Sequence, residues 1–91
     1  MADALTVDIV GPDRVLWSGT ATSVVAPTVE GEIGLLANHE PVLSVLRPGV
    51  VRVHGEQGDT NVDISGGFVS FDHNVITIVA EPVELDAPSA E

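Results

Sequence analysis

Nine glycines and six prolines divide this chain into short segments, most of which are rich in valine. No segment has the spacing of a long amphipathic helix, with apolar residues three and four positions apart over several turns. Short apolar runs separated by glycine and proline are typical of β-sandwiches and barrels. The sequence therefore predicts an all-β fold, a small two-sheet β-sandwich or flattened barrel of about eight to ten short strands.

Alternation of apolar and polar residues indicates where the strands lie. The first strand is expected from Leu5 to Ile9, and a long second strand from Val15 to Ala26, with Gly19 marking a bend. Pro27 is expected to end that strand. The run from Val42 to Leu46 fits either a strand or a single helical turn. Further strands are expected at residues 33–36, 50–54, 62–64, 68–71 and 75–79.

Several glycines are expected to supply backbone conformations that other residues rarely adopt. Gly49 follows Arg47-Pro48 and is predicted to form a structural turn. Gly66 and Gly67 are predicted to form a second turn, at a bend between strands. The full set of such glycines is Gly31, Gly34, Gly49, Gly66 and Gly67.

The charge of the chain restricts its partners. Fourteen acidic residues oppose three arginines and no lysine, which gives a net charge of −11 with neutral histidines. Such a surface repels phosphate backbones and anionic lipid headgroups, so neither nucleic-acid binding nor direct lipid insertion is expected. It suits basic protein surfaces, and solubility alone is the alternative explanation. No apolar run approaches the roughly 20 residues of a membrane-spanning helix, so membrane association is expected to require a partner.

Residues that could carry catalysis do not form a recognised pattern. The chain has no cysteine nucleophile, no lysine for a phosphate-binding loop and no Gly-x-Ser-x-Gly turn. His39, His54 and His73 lack the His-x-His and His-x3-His spacings of metal sites. No metal or cofactor is therefore expected. A metal-dependent enzyme that uses these histidines is the less favoured alternative.

Two segments are expected to lie at the surface. Glu30-Gly31-Glu32 places two charges around a glycine between strands, which predicts a projecting turn, and binding residues concentrate on such loops. Residues 82–91 contain mainly proline, alanine, serine and acidic residues, which predicts a flexible tail after a single domain at residues 1–81. These features indicate a binding or scaffolding module without a visible active site.

An ordered series of motifs supports a more specific hypothesis. The series is Glu30-Gly-Glu-Ile-Gly34, Asn38-His-Glu-Pro-Val-Leu43, Arg47-Pro-Gly49, Ser65-Gly-Gly-Phe68 and Asn74-Val75. From about Leu5 to Glu81 it resembles the N-terminal β-sandwich of the epsilon subunit of F-type ATP synthases. That family usually continues into two α-helices, whereas this chain ends at Glu91, so no C-terminal α-helical hairpin is expected.

The resemblance implies a non-catalytic subunit of the central stalk, or rotor, of a proton-translocating F-type ATP synthase. Such a subunit binds the gamma subunit and the c-ring and couples proton flow to ATP synthesis. By the motif, Glu30, Gly31 and Glu32 contact the c-ring. The element that contacts the gamma subunit comprises Asn38, His39, Glu40, Pro41, Val42 and Leu43.

The resemblance also implies a location and a regulatory state. It places the chain peripherally on the cytoplasmic face of the bacterial plasma membrane, and the isolated chain is expected to be a monomer. Without the helical hairpin, the inhibition of ATP hydrolysis found in the family is not expected. The alternative is a free-standing β-sandwich adaptor or ligand-binding module, for which Trp17 is the one candidate aromatic platform.

Overall fold

A computed structural model describes residues 4–56 and 58–82, and these residues form strands joined by short turns. The described residues contain no helix long and apolar enough to cross a membrane. The eight strands are β1, Leu5–Val10; β2, Val15–Ala21; β3, Ser23–Thr28; β4, Gly31–Leu36; β5, Val42–Leu46; β6, Gly49–Gly55; β7, Gly58–Asp72; and β8, Val75–Pro82.

The 15-residue strand β7 belongs to both layers of the fold. Its first half pairs with β6 as far as Ile64, and its second half lies between β5 and β8. One layer thus has the order β2-β1-β8-β7-β5, and the other joins β7 to β6, β3 and β4. Neighbouring strands are antiparallel except β1 and β8, which are parallel. The predicted all-β fold, a small β-sandwich or flattened barrel, is confirmed.

The inward-facing residues of both layers form one aliphatic core. Leu5, Val7 and Ile9 alternate along β1 and have no exposed surface, as the period of two in a half-buried strand requires. Among the described residues, Phe71 is the largest fully buried side chain and the only aromatic one in the core. Each buried valine, leucine or isoleucine contributes about 1.5–3 kcal/mol of transfer free energy, so many small contributions hold the layers together.

The two glycines predicted to form a turn between strands, Gly66 and Gly67, instead lie within the continuous strand β7, at its bend. Gly66 has a φ of 151° and Gly67 a φ of 133°, conformations that residues with a Cβ atom rarely adopt. At Gly67 an added Cβ would lie 2.0 Å from the carbonyl oxygen of Val79 on β8. The strand therefore changes layers where its backbone lies directly against its neighbour.

Two of the other glycines differ from the sequence prediction. Gly34 and Gly49 have no positive φ, so the expectation that they supply a special backbone conformation is wrong. Gly49 is the first residue of β6, and an added Cβ there would lie 3.1 Å from two carbon atoms of the Pro27 ring. Glycine is needed at this position because a larger residue would crowd Pro27, a tertiary contact that the local sequence does not reveal.

The long strand predicted from Val15 to Ala26 is divided, and Gly19 does not mark the division. The break lies at Thr22, whose backbone N–H and hydroxyl both donate to the carbonyl oxygen of His54, at 2.7 and 2.9 Å. Pro27 does not end the strand, because β3 continues to Thr28. The division between β2 and β3 therefore depends on a contact with His54 on β6, which lies 32 residues further along the chain.

The remaining predictions concern the run before β6 and the end of the chain. Residues Val42–Leu46 form strand β5, which excludes the alternative of a helical turn. Of the predicted tail at residues 82–91, Pro82 is the last residue of β8. Residues 83–91 lie outside the described part of the chain, and so do the predictions of a flexible tail and of a missing helical hairpin.

Candidate partner-binding site

Two exposed carboxylates lie where β3 turns into β4, Glu30 in the turn and Glu32 as the second residue of β4. Glu30, Gly31 and Glu32, here called the acidic tip, follow directly after Val29. Gly31 has a φ of 125° with no atom within 4 Å of the position of an added Cβ, so conformation alone requires glycine there. Within residues 4–56 and 58–82, neither Glu30 nor Glu32 forms an ion pair. Both carboxylates are therefore available to a basic partner.

Strand β5 supports the base of the acidic tip. The N–H of Val29 donates to the carbonyl oxygen of Val45 at 3.0 Å, and Thr28 is paired with Leu46. The N–H of Arg47 donates to the carbonyl oxygen of Pro27 at 2.9 Å. These bonds join the tip to the layer that contains β5, so its base is not a free loop.

The other predicted contact element begins in a loop of residues 38–41, here called the His39 loop. Asn38 has a φ of 68°, and its N–H donates to the side-chain oxygen of Asn74 at 2.7 Å. The N–H of His39 donates to the carbonyl oxygen of Leu36 at 3.1 Å. One bond therefore closes the loop locally, and the other ties it to the β7–β8 turn.

The ring of His39 has two partners. Its Nδ1 lies 2.8 Å from the carbonyl oxygen of Glu40, an acceptor that requires the Nδ1 atom to carry the proton. The ring also makes an edge-on contact with Phe71, with 5.7 Å between centroids. Contact with a buried core residue holds the exposed imidazole in one orientation. His39, Asn38 and Pro41 border a shallow pocket of about 430 Å³ with the β7–β8 turn.

An exposed apolar surface continues from the His39 loop along β5. Leu43, Val45 and Phe68 are 76%, 57% and 43% exposed, and Val45 is paired with Phe68 across β5 and β7. These three residues, here called the β5 patch, line a shallow depression of about 500 Å³ together with Ser44. Exposed apolar side chains that adjoin one another mark contact surfaces more often than scattered ones do. The sequence analysis included Leu43 but not Val45 or Phe68.

The acidic tip and the His39 loop lie at opposite ends of two strands. Strand β4 leads from the tip towards the His39 loop, and β5 leads from that loop back to Leu46, beside the tip. Six residues of β4 extend about 17–20 Å at roughly 3.3 Å per residue. This distance exceeds the Debye length of about 8 Å at physiological salt, so the charge of the tip is largely screened from the loop.

The histidines and Trp17 have local structural partners. His54 Nδ1 lies 3.3 Å from Asp59 Oδ1, and His73 Nδ1 lies 2.8 Å from Asp72 Oδ1. In the described ranges no three His, Asp or Glu side chains are grouped as metal ligands. Trp17 packs against the core, and its ring lies across Gly19. Trp17 is half-buried, and it also borders a pocket of about 410 Å³ together with Thr20 and Asp59.

Asn74 provides a test of how the His39 loop is held. Replacing it with glycine keeps the positive φ of 62° accessible but removes the acceptor for the Asn38 N–H. We expect this variant to lose about 1–2 kcal/mol of stability and to show faster amide exchange at Asn38. Asn74→Asp retains the acceptor and is the matched control. Equal exchange rates in the two variants would contradict this role.

The chain was also compared with known proteins. A family model described as the β-sandwich domain of the ATP synthase delta/epsilon chain matches residues 4–86. The chain belongs to this ATP synthase delta/epsilon family. The match covers every strand, the acidic tip, the His39 loop and the β5 patch.

Bacterial members of the delta/epsilon family extend beyond the matched region. The ATP synthase epsilon chain of Streptomyces avermitilis is 45% identical over all of this chain and 77% of its own length. The epsilon chain of Maricaulis maris is 43% identical over 89% of this chain and 61% of its own. That of Neisseria meningitidis serogroup C is 37% identical over 96% of this chain and 66% of its own.

Two solved structures of ATP synthases contain chains with a similar fold. A chain of the Euglena gracilis mitochondrial ATP synthase, in an OSCP/F1/c-ring structure, matches with a TM-score of 0.79 and 29% identity. The match covers 85% of this chain and 50% of the Euglena chain. A chain of a Tetrahymena thermophila mitochondrial ATP synthase central stalk/c-ring structure matches with a TM-score of 0.71 and 17% identity. This match covers 88% of this chain and 65% of the Tetrahymena chain, and it supports the fold alone.

Proposed function

We propose that this chain is a non-catalytic central-stalk subunit of a proton-translocating F-type ATP synthase, which binds the gamma subunit and the c-ring. The observation that carries this proposal is the presence of two unlike exposed surfaces, the acidic tip and the β5 patch, which runs along β5 from the His39 loop to the base of the tip. One is acidic and the other is largely apolar. A subunit that turns with the rotor must hold two partners at once, and such a pair of surfaces suits this task.

The acidic tip is the proposed contact with the c-ring. Its two carboxylates are exposed, one in the turn and one at the start of β4, and they form no ion pair within the described part of the chain, so a basic loop could approach them directly. The chain carries a net charge of −11, which adds long-range attraction to a basic surface. A contact of this kind steers association and weakens as salt screens it.

The His39 loop and the β5 patch are the proposed contact with the gamma subunit. The predicted element from Asn38 to Leu43 runs directly into the patch, where Val45 and Phe68 enlarge the apolar area. Apolar and aromatic side chains at the centre of an interface contribute most of the binding energy, while the polar rim adds specificity. This contact should therefore resist salt better than the acidic tip does.

In this proposal the chain couples proton flow to ATP synthesis by transmitting rotation and does no chemistry itself. It lies peripherally on the cytoplasmic face of a bacterial plasma membrane and is held there by its protein partners. As an isolated chain it is a monomer.

Co-purification from source-cell membranes at low and high salt tests this function. The tagged chain is expected to recover the gamma subunit and the c-ring at low salt and to keep gamma at high salt. Leu43→Ser, at a residue 76% exposed, is expected to reduce recovery of gamma about tenfold or more without changing the unfolding midpoint. Val15→Ser, at a residue 58% exposed and outside the β5 patch, is the matched control. Recovery of neither partner would favour the free-standing adaptor.

A further inference from the structure

Thr28 is the only buried polar residue among those the structure describes, with 4% of its surface exposed. It is the last residue of β3, directly before the turn. Its hydroxyl donates to the carbonyl oxygen of Gly31 at 2.5 Å and accepts from the N–H of Glu30 at 3.2 Å. Both partners of this hydroxyl therefore lie in the acidic tip.

The backbone of the turn shows where this bond acts. Tight two-residue hairpin turns favour positive φ at their central residues, because that twist matches the flanking strands. Val29 and Glu30 do not have positive φ, and the positive φ falls on Gly31. The paired residues Thr28 and Gly31 close the hairpin. The Thr28 hydroxyl adds a second contact there, because it bridges Glu30 and Gly31 from inside the hairpin.

A simpler explanation is that the two bonds only satisfy the hydrogen-bonding capacity of a buried hydroxyl. The residues around Thr28 argue against this explanation. The strand before Thr28 is apolar, with Val24, Ala26 and Pro27 buried. Valine has nearly the shape of threonine, suits strands and needs no hydrogen-bond partner. A valine would therefore complete this strand without placing a polar group in the interior. What valine lacks is the bridge to the tip.

We propose that Thr28 is a positioning residue, whose hydroxyl holds the two carboxylates of the acidic tip in the geometry that a basic partner loop recognises. This inference rests on the proposed contact between the tip and the c-ring. Without the hydroxyl the tip samples several conformations, and binding must then order it at the expense of affinity.

The test compares Thr28→Val with Thr28→Ser in rebinding to membranes that carry the ATP synthase with this chain removed. Valine keeps the shape and removes the hydroxyl, whereas serine keeps the hydroxyl. We expect Thr28→Val to bind about tenfold more weakly and Thr28→Ser to stay within about twofold of the natural chain. The salt dependence of binding should become shallower for valine alone, because a disordered tip meets the basic loop poorly.

Two further measurements separate positioning from general stability. Amide exchange at Glu30 should accelerate in Thr28→Val, because its N–H loses an acceptor, while residues of β1 keep their protection. The urea midpoints of both variants show whether either one has lost the fold. Natural affinity and salt dependence in Thr28→Val would overturn the proposal, and so would equal weakening by valine and serine in folded proteins.

The double variant Glu30→Gln, Glu32→Gln separates this proposal from the function on which it rests. If the double variant binds weakly and Thr28→Val binds normally, the tip contacts its partner but Thr28 does not position it. If the double variant itself binds with natural affinity and salt dependence, the tip is not the contact, and both proposals are overturned.

Discussion

Replacing Gly67 with valine is expected to lower the free energy of unfolding by about 4 kcal/mol or more, which is a large part of the stability of a small domain. Two effects add. The φ of 133° is strained for any residue with a Cβ, and that Cβ would lie 2.0 Å from the Val79 carbonyl oxygen. Because both obstacles are backbone, no change of rotamer relieves them. Urea unfolding followed by the fluorescence of Trp17 measures the loss.

Two other glycines provide graded controls for Gly67. Gly66→Ala shares the unusual φ, at 151°, but an added Cβ meets only the Leu46 carbonyl oxygen at 3.9 Å, so we expect a loss of about 1–2 kcal/mol. Gly34→Ala has open space and no positive φ, and should be neutral or stabilising by up to about 1 kcal/mol. If Gly67→Val were as stable as Gly34→Ala, the close approach of β7 and β8 would be refuted.

Reversing both charges of the acidic tip is expected to weaken the proposed ring contact on the order of 100-fold at low salt. Glu30→Lys and Glu32→Lys place two positive charges where a basic loop would approach, and like charges across an interface cost several kcal/mol. The fold should be unaffected, because both side chains are exposed and neither forms an ion pair in the described part of the chain. Rebinding to depleted membranes and proton-driven ATP synthesis measure the effect.

The matched control for charge reversal changes the same number of charges elsewhere. Asp13 lies in the β1–β2 turn and Asp63 on β7, and both are exposed. Asp13→Lys with Asp63→Lys alters the net charge equally but leaves the tip intact, so it should weaken binding far less. Comparable weakening by both pairs would mean that overall charge matters and the tip does not. If proton-driven ATP synthesis were normal in the tip variant, Glu30 and Glu32 would be solvent-exposed residues without a role in partner binding.

The parts of the fold that could be predicted from the sequence are those set by local pattern. The alternation Leu5, Val7, Ile9 determines both the strand and its buried face, and the adjacent Gly66 and Gly67 are placed at a bend of β7. The division at Thr22 could not be predicted, because it depends on the carbonyl oxygen of His54 on a distant strand. Five residues at Val42–Leu46 were too few to distinguish two periodicities.

The same distinction applies to the candidate site. Charged residues around Gly31 marked the acidic tip without further information. The β5 patch needed the pairing of Val45 with Phe68, and the anchoring of the His39 loop needed Asn74, which lies 36 residues from Asn38. Thr28 left a weak signal, a single hydroxyl at the end of the apolar part of β3. A polar residue in that position was visible, but its two partners were not.

The parallel pairing of β1 with β8 also determines when the domain can form during synthesis. Thr6 is paired with Val75 and Val10 with Val79, so β1 lacks this neighbour until β8 has been synthesised. Until then β1 has only β2 beside it, and an isolated hairpin is marginally stable in water. The sandwich can therefore close only after β8 has been made, and pairing over such a separation makes folding slow compared with a helical domain of equal size. Newly made copies expose unpaired strand edges during this interval, when chaperones and premature partners compete for them.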